Sequence, residues 1–122
     1  MGLARRLRGF FTRLTESDEQ RLADEIERWA EKVPGTARIA DVAVRDRAKI
    51  AGVVKRITVR PMEGSESLEA LVSDGTGEIR VVWMGRRSIP GLKLGTRIVV
   101  EGVMAEQRAE RRMVNPSFEF AA

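Results

Sequence analysis

The sequence predicts a mainly β domain, a five-stranded Greek-key barrel with an N-terminal α-helical extension. Three observations predict it. Residues 67–84 (SLEALVSDGTGEIRVVWM) alternate apolar and polar side chains on both sides of a glycine-rich turn, the period-two mark of strands with one buried face. Two further runs, 49–59 and 96–106, have strand length and carry an interior glycine, Gly52 and Gly102, as strands do where they bend or bulge. Helical periodicity is confined to the residues before Pro34-Gly35.

The helical part has two pieces. Residues 3–14 place Leu3, Leu7, Phe10, Phe11 and Leu14 on one face, with Arg5, Arg6, Arg8 and Arg13 elsewhere and Gly9 weakening the helix. Such a segment can lie on an anionic membrane surface, dock on a partner or on its own domain, or be a tail whose periodicity is accidental. Residues 18–33 make a firmer helix. Ser17 with Gln20 three positions on reads as a capping box, and Asp18 and Glu19 suit the positive end of the helix dipole. Leu22, Ile26, Trp29 and Val33 form its apolar stripe, with Trp29 expected to anchor it against the following domain, and Pro34-Gly35 ends it. The expected division is residues 1–35 for the extension and 36–122 for the barrel.

Residues 36–46 are a lead-in with Ile39 and Val42 as its apolar positions. The first strand, 49–59, contains the expected bulge or sharp bend at Gly52, and RPMEGSE (60–66) breaks the alternation as a loop. The hairpin follows. Its pleat sends Leu68, Ala70, Val72, Ile79, Val81 and Trp83 inward and leaves Glu69, Leu71, Arg80, Val82 and Met84 outside. Asp74-Gly75-Thr76-Gly77 supplies the turn, since Asp and Gly accept left-handed backbone. Residues 85–93 connect, with a helical turn expected at 86–89 before Pro90-Gly91. The fourth strand is 96–106, QRAERR (107–112) is a polar turn, and the fifth strand is 113–120 with Pro116 near an edge. Five strands, two of them long and bent, with a short link between the third and fourth, suit the OB-fold among small barrels.

At SDGTGEIRVVWM, PGLKLGTRIVVEG and MVNPSFEF the sequence resembles bacterial OB-folds of the nucleic-acid-binding superfamily. It is similar to the wedge domain of the RecG helicase, more broadly to the anticodon-binding type, and also to small stand-alone OB-fold proteins of high-GC bacteria. The resemblance covers roughly residues 48–120 and rests on Gly52, Ser73-Asp74-Gly75-Thr76-Gly77, Leu94-Gly95-Thr96, Gly102 and Met113-Val114-Asn115-Pro116. It implies a non-catalytic module that binds single-stranded or junction nucleic acid across the second and third strands and the loops beside them. On this sequence that face would offer Leu71, Arg80, Val82 and Met84. The flanking loops would bring Lys55, Arg56, Arg60, Arg108, Arg111 and Arg112, with Arg86 and Arg87 just past the third strand. Arginines would hold phosphates while bases rest on Leu, Val and Met. Two features depart from the pattern. The chain has no Tyr to stack bases on, with its two Trp expected inside, and Glu69 would repel phosphate from the middle of the face.

Charge and composition narrow the rest. The net charge of +4 is distributed in alternating blocks: residues 1–14 carry four Arg and no acid, 15–43 four basic and eight acidic residues, 44–122 fourteen basic and ten acidic. A basic barrel is compatible with an anionic partner. Eighteen of the 22 basic residues are Arg, a bias that a GC-rich genome would also produce. With no His and no Cys, the usual zinc sites and His-based nucleophile activation are excluded, and redox compartment leaves no trace. There is no GxxxxGK[ST] or GxGxxG, no convergent carboxylate pair, and no activated lysine among Lys32, Lys49, Lys55 and Lys93. No apolar run reaches the roughly 20 residues of a membrane span, and the N-terminus lacks a signal-peptide core. The expectation is therefore a cytoplasmic OB-fold protein without enzymatic activity, cofactor or metal. It would bind single-stranded DNA or RNA with low sequence specificity. The competing expectation is a protein-interaction adaptor that docks through residues 1–33, on a protein or at a membrane surface.

Overall fold

The computed structural model describes residues 2–62 and 64–121, and the side chains of 17–61 and 64–121. Among the described residues one α-helix, α1 (Gly2–Glu31), precedes seven strands: β1 (Arg47–Met62), β2 (Ser65–Ser73), β3 (Glu78–Met84), β4 (Arg97–Val103), β5 (Ala105–Gln107), β6 (Glu110–Val114) and β7 (Ser117–Phe120). Among the described residues no helix is long and apolar enough to cross a membrane.

The helix does not begin at Ser17. Residues 2–16 form the turns before it, so the N–H groups that a Ser17 cap would have satisfied already have carbonyl partners. Gln20, freed from the capping box, donates instead to Asp24 Oδ1 at 3.0 Å. The face formed by Leu3, Leu7, Phe10, Phe11 and Leu14 lies outside the described side chains. Further along, Ile26 and Ala30 are buried, and Trp29 and Val33 pack beside Ala51 and Val99 of the sheet. Trp29 is the expected anchor, with the Arg97 guanidinium 4.9 Å above its ring. Leu22, at the outer end of the stripe, stays 48% exposed.

The sheet order is β5-β6-β3-β2-β1-β4-β7, all antiparallel except β3 with β6. The expected closed five-stranded barrel is thus corrected to a seven-stranded sheet whose ladder remains open. Two breaks cause the difference. The fourth expected strand divides at Met104, whose backbone leaves the ladder to bond Arg45 and Asp46 of the lead-in, at 2.7 and 2.9 Å. The fifth divides at Asn115-Pro116, where Asn115 is left-handed (φ 50) and proline has no N–H to continue the pairing. The core lies where the pleat places it: Leu68, Ala70, Val72, Ile79, Val81 and Trp83 are all buried.

β1 serves two partners. Its first half pairs with β4 and its second with β2, and Val53 belongs to both ladders. Gly52 sits at this crossing, paired in register with Ile98, so of the two expected alternatives, bulge or bend, the bulge is not there. A Cβ there would stand 2.6 Å from Val72 Cγ1 and 2.8 Å from the Ser73 carbonyl oxygen. The bulge falls at Lys55, the residue skipped between the pairs Val54 with Val72 and Arg56 with Leu71. The expected helical turn at 86–89 is absent: the connector is turns and bends, and Ile89 alone of those four is buried from it.

The lead-in plugs one end of the core. Ile39, in a 3₁₀ turn (Ile39–Asp41), is almost wholly buried. Its N–H donates to Asp74 Oδ2 at 2.7 Å, and its carbonyl accepts from Arg111. The hairpin turn and β6 thereby fix the backbone of the same residue from two sides.

Candidate nucleic-acid interface

The pairing register defines the outer face of the sheet. Across β1, β2, β3 and β6, one column reads Thr58, Glu69, Val82, Val114, and the next reads Arg56, Leu71, Arg80, Arg112. Arg60, Ser67 and Met84 form a third on the first three strands. Two arginines placed side by side on neighbouring strands repel. Glu69, one column over, resolves this. Its carboxylate receives Arg60, and lies 3.5 Å from Arg80 Nη1 and 3.8 Å from Arg112 Nη2. Glu69 is 6% exposed, so it is covered by its own counterions. The expected repulsive charge in the middle of the face is therefore neutralised three ways, and its role is to gather arginines.

Two walls rise beside this face. One is the β1–β2 arm, ending near Pro61. The other is the β5–β6 hairpin, whose turn places Arg108 and Ala109 in left-handed backbone (φ 54 and 63). Between them runs a groove of about 570 Å³ whose surface includes Arg60, Arg80, Arg108, Arg112, Glu69, Glu110, Val82 and Met84. It meets a second hollow of about 370 Å³ lined by Arg56, Leu71, Glu78, Arg80, Glu110 and Arg111. Arg80 and Glu110 belong to both and mark the saddle. Gln107 on the hairpin accepts from Arg112. Among the described residues Arg56 and Arg108 form no ion pair. Guanidinium groups at this density, over a floor of Val82, Leu71 and half-exposed Met84, can hold a run of phosphates with fork geometry.

The sequence-expected residues divide accordingly. Arg56, Arg60, Leu71, Arg80, Val82, Met84, Arg108 and Arg112 come together here. Lys55 does not. As the bulge residue it lines a separate apolar groove of about 420 Å³ against α1, with Leu22, Ile26, Trp29, Leu94 and Arg97. Arg86 and Arg87 stand on the connector outside the groove, and Arg87 pairs with Glu66 at 2.7 Å. Arg111 borders the smaller hollow, but its guanidinium turns to the carbonyls of Ile39 and Val42, the latter at 2.6 Å, and holds the plug. Val82 is almost fully buried, so it forms floor rather than a platform. Sequence reasoning did not single out Glu110, Gln107, Ser67 and Pro61. The pairing of β6 with β3 and of β5 with β6, contacts between distant stretches with no local signal, brings Glu110 and Gln107 to the face, while Ser67 and Pro61 come with the β1–β2 arm.

No protein-family model and no curated protein sequence matches the chain. Solved structures do. The HINb domain of p204 is similar with a TM-score of 0.58 at 15% identity, over 70% of this chain and 47% of that one. A replication protein A heterotrimer bound to ssDNA contains a chain similar with a TM-score of 0.52 at 16% identity, over 79% of this chain and 75% of that one. The fold is of the OB type. This chain spans about half the length of the HINb domain it matches. In the OB fold the strand 2–3 face and its flanking loops are the surface that the groove occupies.

Proposed function

We propose that this OB-fold chain is a non-catalytic nucleic-acid-binding protein of the cytoplasm. It takes single-stranded DNA or RNA in the groove between the β1–β2 arm and the β5–β6 hairpin, with low sequence specificity. The observation that carries the reading is the convergence of Arg60, Arg80 and Arg112, from three different strands, on one covered carboxylate in that groove. The likeness to a chain from an ssDNA-bound replication protein A complex, and the sequence resemblance to the RecG wedge domain, support it. The groove has no aromatic side chain among its described residues, so base stacking contributes little and phosphate contacts supply the affinity. Low specificity follows, because phosphates carry no sequence information.

The test is fluorescence anisotropy of labelled single-stranded DNA and RNA oligomers across a salt series. Binding should fall linearly in log–log with salt, by about 0.7 per phosphate contact. Arg80→Ala with Arg112→Ala should weaken it and flatten the slope. An unchanged slope would place the site on another face. No binding to either polymer at low salt would favour the adaptor reading. That reading has its own observation: Leu22 and Leu94, the latter 67% exposed, rim the apolar groove beside α1.

A further inference from the structure

Arg80 is gripped from two sides. Glu69 lies below it, buried in the floor. From the hairpin above, Glu110 meets it fork to fork: Arg80 Nε donates to Oε2 at 3.1 Å and Nη2 to Oε1 at 3.3 Å. This planar two-point contact is the one a guanidinium offers equally to a carboxylate or a phosphate. The two carboxylates differ in burial. Glu69 has nowhere else to go, whereas the Glu110 side chain is 58% exposed against 20% for Arg80. An ion pair with one half in water is weak and breaks readily. Arg80 keeps a carboxylate contact when it breaks, because Glu69, shared with Arg60 and Arg112, is 3.5 Å from Nη1. The pair also sits at the saddle between the two hollows, so a strand threading from one to the other must pass it.

We infer that Arg80 is a phosphodiester subsite and that Glu110 occupies it in the free protein as a stand-in for the phosphate. The inference rests on the nucleic-acid reading of the groove. A backbone phosphate displaces the Glu110 carboxylate from the outer fork, Glu110 swings to solvent on the hairpin, and the two hollows join into one channel. No bond is made or broken; one anion replaces another on the same guanidinium. Glu110 thereby lowers affinity, because each binding event must first release it and then leaves it beside the incoming phosphate. It also lowers the salt dependence. A guanidinium already paired within the protein gives no net gain in neutralised phosphate charge until its own carboxylate has found a cation.

The experiment compares the wild-type chain with Glu110→Gln, Arg80→Ala and the double variant, using labelled oligo(dT) and oligo(U) over stepped sodium chloride. Glu110→Gln keeps the shape and removes the charge. It is expected to bind on the order of fivefold tighter at low salt, the worth of one exposed pair, with a slope steeper by about 0.7. In the Arg80→Ala background most of that gain should vanish. Wild-type binding with no tightening in Glu110→Gln would overturn the inference and leave the groove reading standing. An equal gain with and without Arg80 would also overturn it, since a general field effect needs no particular guanidinium. Absence of binding in both wild type and Glu110→Gln would overturn the groove reading, and this inference with it.

Discussion

Two carboxylates on the same hairpin are buried to nearly the same degree, Asp74 at 2% exposed and Glu69 at 6%, yet they are satisfied by different means. Asp74 accepts from the backbone: Thr76 N at 2.8 Å, Gly77 N at 3.1 Å and Ile39 N at 2.7 Å, with the Thr76 hydroxyl at 2.6 Å. Among the described residues Glu69 accepts only from guanidinium groups. Peptide N–H groups cannot be withdrawn without undoing the turn. Guanidinium groups can rotate towards a new anion while the strands stay in place. The first arrangement converts a buried charge into rigidity. The second keeps positive charge assembled at a surface, three guanidinium groups on one carboxylate, in excess and ready for an anionic ligand. The difference separates a structural carboxylate from one that prepares a site.

The largest effect should come from Asp74→Ala. It strands the buried Ile39 N–H and two turn N–H groups at once, and unmet buried donors bring a loss on the order of 3 kcal/mol. Chemical denaturation measures that, and the salt slope of oligonucleotide binding by the folded fraction should not move. A loss confined to binding would invert the contrast between the two carboxylates.

Glu69→Gln should come next, and it should act on both properties. Removing the charge leaves Arg80 and Arg112 side by side on neighbouring strands without the carboxylate they share, a destabilisation of about 2 kcal/mol. The same change frees Arg60 and removes a negative charge that Arg80 and Arg112 share, so oligomer affinity should rise and its salt slope steepen. Stability and affinity moving in opposite directions is the signature expected of a site-preparing carboxylate. If both fall together, Glu69 is structural in the same sense as Asp74.

Gly75→Ala tests how the structural carboxylate's turn carries the helix. Gly75 has φ +87, and an added Cβ would lie 2.3 Å from the Ala23 carbonyl oxygen of α1 and 2.9 Å from Glu27 Cβ. The left-handed penalty and the displaced helix together should lower stability by about 1–2 kcal/mol. Trp29 fluorescence should report the shift, because Trp29 lies on the same helix and its ring sits under Arg97 of β4. Unchanged emission and stability would mean that α1 does not rest on the turn.

These contrasts were unequally legible in the sequence. The inner face was, because strict alternation in β2 and β3 fixes which side chains are buried, and a one-residue slip would expose all of them. Asp74 was legible as a turn former for the same local reason. Glu69 was readable only as a charge on the outer face. Its role depends on Arg60, Arg80 and Arg112, which are nine and eleven residues away for the first two and on a distant strand for the third. No window along the chain contains that information. The division of the fourth strand at Met104 was equally hidden, since the residue that leaves the ladder is an ordinary core methionine whose partners lie in the lead-in. Asn115-Pro116 gave a visible warning of an edge, and the break falls there. The Ser17 cap misled because a capping box marks where a helix can start, and not where an earlier turn has already started it.

The smallest effect sharpens the comparison most finely, because it separates adjacent residues. Lys55 and Arg56 carry the same charge, and the sequence alone placed both beside the ligand face. The bulge at Lys55 breaks their equivalence: Arg56 resumes pairing with Leu71 and borders the hollow beside Arg80, while Lys55 lines the apolar groove against α1. If affinity comes from phosphates held in the groove and not from net charge, the two must respond differently. Arg56→Ala should reduce the salt slope by about 0.7, one phosphate contact. Lys55→Ala should leave the slope unchanged and shift affinity by less than about twofold, the screened effect of one distant exposed charge. Equal losses from both would mean that the oligomer senses the overall field of the barrel and not the face that Glu69 assembles.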